Sequence, residues 1–245
     1  MPDREIYIYK KYFRYKNHYT WKYNGCIFKS LSPTYFDGYY SHWKYWSGIE
    51  KQLIADLDFS DWPLTSPNAE IAGEINESPY SVALHVRRGD FVKLGWCFIS
   101  DNYYVNAVKY IQSIVEKRIK AFIFSNDAPY VKNNLLKQLD FADCRIVDVN
   151  DNDSGHFDLY LMSLCKSVIA ANSTFSIAAG ILNKNCNFNN SDRRNMVIVP
   201  HSWGYGDSRK RMYTGMDESI RNPDYVVFNA KTGECVSEAN NLNKK

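Results

Sequence analysis

Between Ser81 and Pro200, short apolar runs alternate with stretches of helical period, and this alternation restricts the fold more than any other feature of the chain. Ser81–Val86 and residues 121–124, 145–149, 168–171 and 196–199 read as buried strands. Between the first two, Tyr104, Val108, Ile111 and Val115 recur at intervals of four, three and four, which marks one face of a helix over 103–119. Asn126-Asp127-Ala128-Pro129 opens a second helix carrying Val131, Leu135, Leu136 and Leu139, since proline's missing N–H costs nothing in a first turn. Residues 157–166 and Thr174–Leu182 read as two more helices. Five strands and four helices in alternation bury their apolar faces in a parallel sheet covered on both sides, with right-handed crossovers. The expected fold class is α/β, with a Rossmann-like unit over roughly 80–205.

The rest of the chain has a different texture. Residues 1–50 hold sixteen of the 38 aromatic side chains, among many Lys and Arg, so they form either a buried surface or a binding surface. Residues 62–79, with Pro63, Pro67, Gly73 and Pro79, read as a connection. The expected organisation is a partial N-terminal, acceptor-side domain and linker over 1–78, the Rossmann-like domain over 79–230, and a frayed polar tail over 231–245.

A net charge of +3 from 30 basic and 27 acidic residues is too small for a nucleic-acid-binding domain. No apolar run approaches the ~20 residues needed to span a bilayer, and Met1-Pro2-Asp3-Arg4-Glu5 lacks the apolar core of a signal peptide. Six scattered cysteines with no C-x-x-C pair read as reduced thiols, which suits a cytoplasmic protein.

Ligands of such sheets bind at the carboxyl ends of the strands. The candidate segments are therefore 85–90, 125–127, 148–153, 172–176 and 200–203. No G-x-G-x-x-G, Walker-type loop, G-x-S-x-G or H-E-x-x-H occurs, which argues against dinucleotide, P-loop, serine-hydrolase and zinc-protease chemistry. His85-Val86-Arg87-Arg88-Gly89-Asp90 puts two guanidiniums on a tight turn. Such a pair can neutralise a departing diphosphate, or it can be a surface pair bonded to Asp90 and water. Asn172-Ser173-Thr174-Phe175-Ser176 joins a strand to a helix, so it fits a phosphate or simple helix capping equally well. Asp158, in a first helical turn, can bond the N–H edge of guanine or merely oppose the helix dipole. Asp151-Asn152-Asp153 and Asp56-Leu57-Asp58 are D-x-D triplets of a kind that can hold a divalent cation and that also arises by chance. His156 and His201 have no ligand-spaced partners.

Taken in order, these segments resemble glycosyltransferase family 11, the α-1,2-fucosyltransferases. His85-Val86-Arg87-Arg88-Gly89-Asp90 is similar to the family's H-x-R-R-x-D motif, and Phe124-Ser125-Asn126-Asp127 to its F-S-D-D motif. The third motif is matched by Phe157-Asp158-Leu159-Tyr160-Leu161-Met162-Ser163, Cys165, and Ile169 through Ser176. Pro200 with Trp203 resembles the closing P-x-x-W, and Gly38-Tyr39-Tyr40-Ser41 with Lys44-Tyr45 an upstream segment. The resemblance covers about residues 36–205.

It implies a GT-B-like fold, GDP-fucose as donor, inversion at the fucose anomeric carbon, no metal or other cofactor, and a terminal β-galactoside of a glycan as acceptor. Arg87 would bind the β-phosphate and stabilise leaving GDP, and Arg88 would order the loop or share that charge. His85 and Asp158 would contact the nucleoside. Asn172, Ser173, Thr174 and Phe175 would line the donor. Asp90 is the candidate base, or a brace for the arginines. The expected activity is that of a galactoside 2-alpha-L-fucosyltransferase, located in the cytoplasm with peripheral membrane association near lipid-linked glycans. Three departures stand out: Asn126 replaces an Asp, Ile177-Ala178 replaces a Trp pair, and the family's Gly-rich N-terminal segment is not found. The last motivates an alternative, a truncated or degenerate nucleotide- or glycan-binding module without turnover.

Overall fold

The computed structural model describes residues 14–18, 22–29, 33–38, 40–59, 62–95, 99–151, 153–183, 195–203 and 216–238. The chain divides into two compact units, 1–47 with 205–222, and 48–204 with 223–245.

In the smaller unit, β1 (Arg14–His18) and β2 (Thr34–Gly38) pair in parallel. Part of the N-terminal aromatic crowd packs on itself. The Tyr45 ring lies 5.0 Å from that of Tyr23 and 5.7 Å from that of Tyr40, and its hydroxyl accepts a bond from the Asn24 N–H at 2.8 Å. Phe28 stays 63% exposed, so these rings are not a closed core.

The larger unit begins with α1 (Glu50–Asp56) and α2 (Ser66–Glu77). The stretch expected to be a connection over 62–79 is thus mostly helix, packed in the same unit as the sheet. Pro67 falls in the first turn, where no N–H is needed, and a Cβ at Gly73 would meet nothing within 4 Å. Neither breaks the helix, while Ile71, Ala72 and Ile75 anchor it at 0–7% exposure. Each buried isoleucine contributes about 1.5–3 kcal/mol.

Then follow β3 (Ser81–Val86), α3 (Gly89–Lys93), α4 (Asp101–Val115), β4 (Lys120–Ser125), α5 (Ala128–Tyr130), β5 (Asp143–Val147), α6 (Gly155–Leu164), β6 (Ser167–Ile169), α7 (Thr174–Leu182), β7 (Val197–Pro200), β8 (Val226–Phe228) and β9 (Cys235–Ser237). The second expected helix is not regular: α5 runs into a π stretch, Val131–Leu135, and a 3-10 turn, Leu136–Gln138. Val131, Leu135 and Leu139 are all buried and four residues apart. The wide π turn keeps Val131 and Leu135 on one face, and the 3-10 turn that follows delivers Leu139 to the same core. The residues expected to fray include β9, which pairs antiparallel with β8 at the sheet edge.

The seven strands lie in the order β5-β4-β3-β6-β7-β8-β9, parallel except at β9. Counting from β3, the parallel part reads 3-2-1-4-5-6, a doubly wound sheet. Side chains alternate between two cores, as a period of two demands. Val82, Leu84 and Val86 join Tyr103, Val108, Ile111 and Leu135 in one core. Ala83, Phe122 and Val168 join Ile71, Ile75, Leu161 and Met162 in the other. Crossovers of one hand, wound outward from β3 and then from β6, must use opposite faces. The order therefore reverses between β3 and β6, and a crevice opens outside their carboxyl ends.

Candidate active site

The switch point brings together the two segments that were ambiguous separately. β3 and β6 pair in register up to Leu84 with Ile169, so the last residues of β3, paired from there on only with β4, and 170–176 run out side by side. The His85 and Phe175 rings lie 5.6 Å apart across that gap. Behind it, the Tyr103 hydroxyl donates to the Ala170 carbonyl at 2.7 Å and anchors the end of β6 to α4.

The adjacent arginines have different surroundings. Arg88 is built into the scaffold: its Nε lies 3.3 Å from Asp127 Oδ2, its guanidinium stacks 3.3 Å from the Tyr130 ring centre, and its N–H donates to Asn126 Oδ1 at 2.9 Å. Asp127 Oδ1 in turn accepts the Tyr130 N–H, and the Ser125 hydroxyl donates to the Val86 carbonyl at 2.8 Å. Ser125-Asn126-Asp127 thereby braces the turn after β3. A Cβ at Gly89 would collide with the Asn126 amide, so any larger residue there displaces the side chain that accepts the Arg88 N–H.

Arg87 is less occupied. Its Nη2 pairs with Asp90 at 2.8 Å, and its Nε is buried without a hydrogen bond. Asp90 is 51% exposed, so the pair contributes at most about 1 kcal/mol and yields to a stronger anion. Asn126 Nδ2 also approaches Asp90 Oδ1 at 3.4 Å.

His85 is 6% exposed, and its Nδ1 is buried without a partner. Burial, then the Arg87 charge, pushes its pKa down to about 3, so the ring is neutral at ordinary pH and offers a hydrogen-bonding edge rather than a charge. On the other wall, the Asn172 amide donates to the Trp203 carbonyl at 3.0 Å, which joins the third motif to the P-x-x-W segment. Ser176, not Ser173, serves the local backbone, accepting the Ala171 N–H at 3.1 Å. The Ser173 side chain makes no capping bond to α7, and Thr174 is exposed.

Asp158 sits in the first turn of α6. Asn150, just past β5, donates to its Oδ1 at 2.7 Å. Burial raises this carboxyl's pKa, and the Asn150 bond partly offsets the rise. Asn150 falls within the candidate segment 148–153 but was not named individually, and Asn68 was not singled out at all. Asn68 lay in the supposed connection, and no motif letter marks either. Of the D-x-D triplets, Asp151 accepts the Asp153 and Ser154 N–H groups as a turn former, and bonds to Ser154 hold its pKa below the usual range. Asp56 takes a bond from Gln52 at 2.6 Å. Among the described residues, no three His, Cys, Asp or Glu side chains gather as a metal-ligand group. His201 Nδ1 accepts the Ala230 N–H, a structural bond.

Comparison with known proteins gives this arrangement a context. The chain is 27% identical over 143 residues to the "O-antigen biosynthesis glycosyltransferase WbnK" of Escherichia coli, covering 56% of this chain and 44% of that protein. It is 31% identical over 106 residues to an "Alpha-1,2-colitosyltransferase" of Escherichia coli, covering 39% of this chain and 34% of that protein. The matched part is thus less than half the length of either relative. The profile of glycosyl transferase family 11 matches residues 7–194, which include both walls of the crevice. The match spans most of the chain, which belongs to glycosyl transferase family 11.

Proposed function

We propose that this chain transfers L-fucose from GDP-fucose to the 2-OH of a terminal β-galactoside, with inversion and without a metal, on a GT-B-like scaffold of which the doubly wound sheet is the donor-binding domain. The observation that carries the reading is Arg87, an incompletely bonded cation at the switch point beside the uncapped start of α7. A diphosphate there meets a fixed positive charge and a positive helix end. In the reaction, the bond from the fucose anomeric carbon to the β-phosphate oxygen breaks, and a bond to the acceptor 2-oxygen forms on the opposite face. The 2-OH proton leaves to a base, and GDP departs with the electron pair. Arg87 holds the β-phosphate oxygens and offsets the charge that grows on them, which makes a cation cofactor dispensable. Arg88 acts through the loop, bound as it is to Asp127 and Tyr130. Ser173, Thr174 and Phe175 line the diphosphate and ribose, with Asn172 holding that wall to Trp203. His85 and Asp158 meet the nucleoside. Asp90, released from Arg87 when phosphate arrives, is the candidate base.

The α-1,2 linkage in one relative's name supports the linkage proposed here, and the O-antigen role in the other's name supports a glycan acceptor. No described helix is long and apolar enough to cross a membrane. We place the chain in the cytoplasm, peripherally at membranes that carry lipid-linked glycans. The test is purified protein with labelled GDP-fucose and lactose, in EDTA. A fucosylated product that Arg87→Ala loses supports the assignment. GDP binding without any product supports the alternative, a nucleotide-binding module without turnover, and retention of most activity in Arg87→Ala sinks the role given to that arginine.

A further inference from the structure

Asp158 ends a chain of side-chain amides that begins on α2. Asn68 is 1% exposed, and its Nδ2 donates to Thr65 Oγ1 at 2.8 Å and to Asn150 Oδ1 at 2.9 Å. Asn150 Nδ2 donates back to Asn68 Oδ1 at 2.9 Å and onward to Asp158 Oδ1 at 2.7 Å. Both hydrogens of both amides are used, so neither amide can be turned over without losing bonds. The chain therefore has a polarity: it presents an N–H to Asp158, never an oxygen. A carboxylate in a first helical turn otherwise rotates freely about its own bonds. Here Oδ1 is held by one bond, which leaves its second lone pair and Oδ2 as acceptors that no described side chain occupies.

Guanine offers two parallel donors, N1–H and the C2 amine, and a carboxylate reads both only when its plane matches theirs. We propose that Asn150 and Asn68 are positioning residues for nucleobase recognition: the amide chain from α2 fixes the Asp158 carboxylate in the orientation that reads the N1–H and C2-amine edge of guanine. This rests on the base-reading role given to Asp158 above. It makes α2, which lies outside the family's sequence motifs, part of the specificity device.

The test measures binding of GDP, inosine diphosphate and xanthosine diphosphate to the full chain by calorimetry, alongside melting temperature. Inosine lacks the C2 amine, and xanthine has a carbonyl there. Wild type should prefer GDP to inosine diphosphate by about tenfold or more. Asp158→Asn should lose that preference and gain xanthosine diphosphate binding, because its amide donates to the C2 carbonyl. Asn150→Ala should bring the GDP-to-inosine ratio near one, and Asn68→Ala should lower it by a smaller factor. A purely structural role would shift melting temperature and leave the ratio alone. If Asp158→Asn keeps GDP preference, the base-reading role itself fails. If Asp158→Asn loses it while both asparagine variants keep the wild-type ratio, only the positioning proposal is overturned. Should Asn150→Ala not fold, an unchanged ratio in Asn68→Ala overturns it alone.

Discussion

At the amino end of the sheet, Lys120 pairs with Glu74 and lies 3.9 Å from Asp143, while Arg145 reaches Glu74 at 2.6 Å and Glu70 at 3.1 Å. Both cations have two carboxylates each. At the carboxyl end, Arg87 has one exposed carboxylate, its Nε is buried and unbonded, and so is His85 Nδ1. Both ends leave a buried polar atom without a hydrogen bond, but at the amino end that atom, Glu74 Oε2, lies 2.6 Å from the Arg145 guanidinium, while Arg87 Nε and His85 Nδ1 have no such ion-pair contact. Unbonded buried donors and acceptors cost about 1–3 kcal/mol each unless a ligand completes them. On the proposed function the difference separates a scaffold from a site: an ion network ties α2 to β4 and β5, while the Arg87 turn is where the donor's diphosphate would bind.

The strongest way to break this contrast is to remove a cation from each end. Arg87→Ala should lower transfer by about 100- to 1,000-fold, the usual effect of losing a donor to developing charge. Arg145→Ala should leave transfer within about threefold and cost about 1 kcal/mol in denaturant unfolding. Equal effects on transfer would erase the distinction. Next in size, Gly89→Ala forces a Cβ into the Asn126 amide and should destabilise the turn by about 1–3 kcal/mol, weakening GDP binding measured by calorimetry.

Acid titration sharpens the comparison further. Below the ordinary histidine value of 6.5 the unfolded chain takes up a proton that folded His85 refuses until about pH 3. Stability should therefore fall as pH drops through that window, by about 2 kcal/mol at pH 5 from this group. The same loss in His85→Gln, followed by urea melts, would remove His85 as its source. The smallest effect should come from Lys120→Ala at the amino end, about 1 kcal/mol or less, shrinking in high salt.

Much of this was legible in the chain itself. Ser81–Val86 and Thr174–Leu182 were placed to the residue, because an all-apolar run and a strand-to-helix turn carry their own boundaries. The strand expected over 145–149 lies instead at Asp143–Val147, since Val149 is 42% exposed while pairing with β4 begins at Asp143. Helix α2 was missed because Pro67 and Gly73 are breakers only in a helix interior that must bond or pack at those points. Arg87 and Arg88 look alike in sequence. Their separation into an incompletely bonded and a loop-bracing arginine depends on Asn126, Asp127 and Tyr130, brought from the end of the neighbouring strand.

The sequence by itself determined the alternation of strands and helices, the order of motifs and the residue types at each strand end, because these follow from local period and chain order. Tertiary structure decided which strand ends become neighbours, since the reversal of order between β3 and β6 is set by how crossovers cover two faces. It also decided which charges close on each other and which remain open, because a hydrogen bond between residues as far apart as Asn68 and Asn150 has no trace in local spacing.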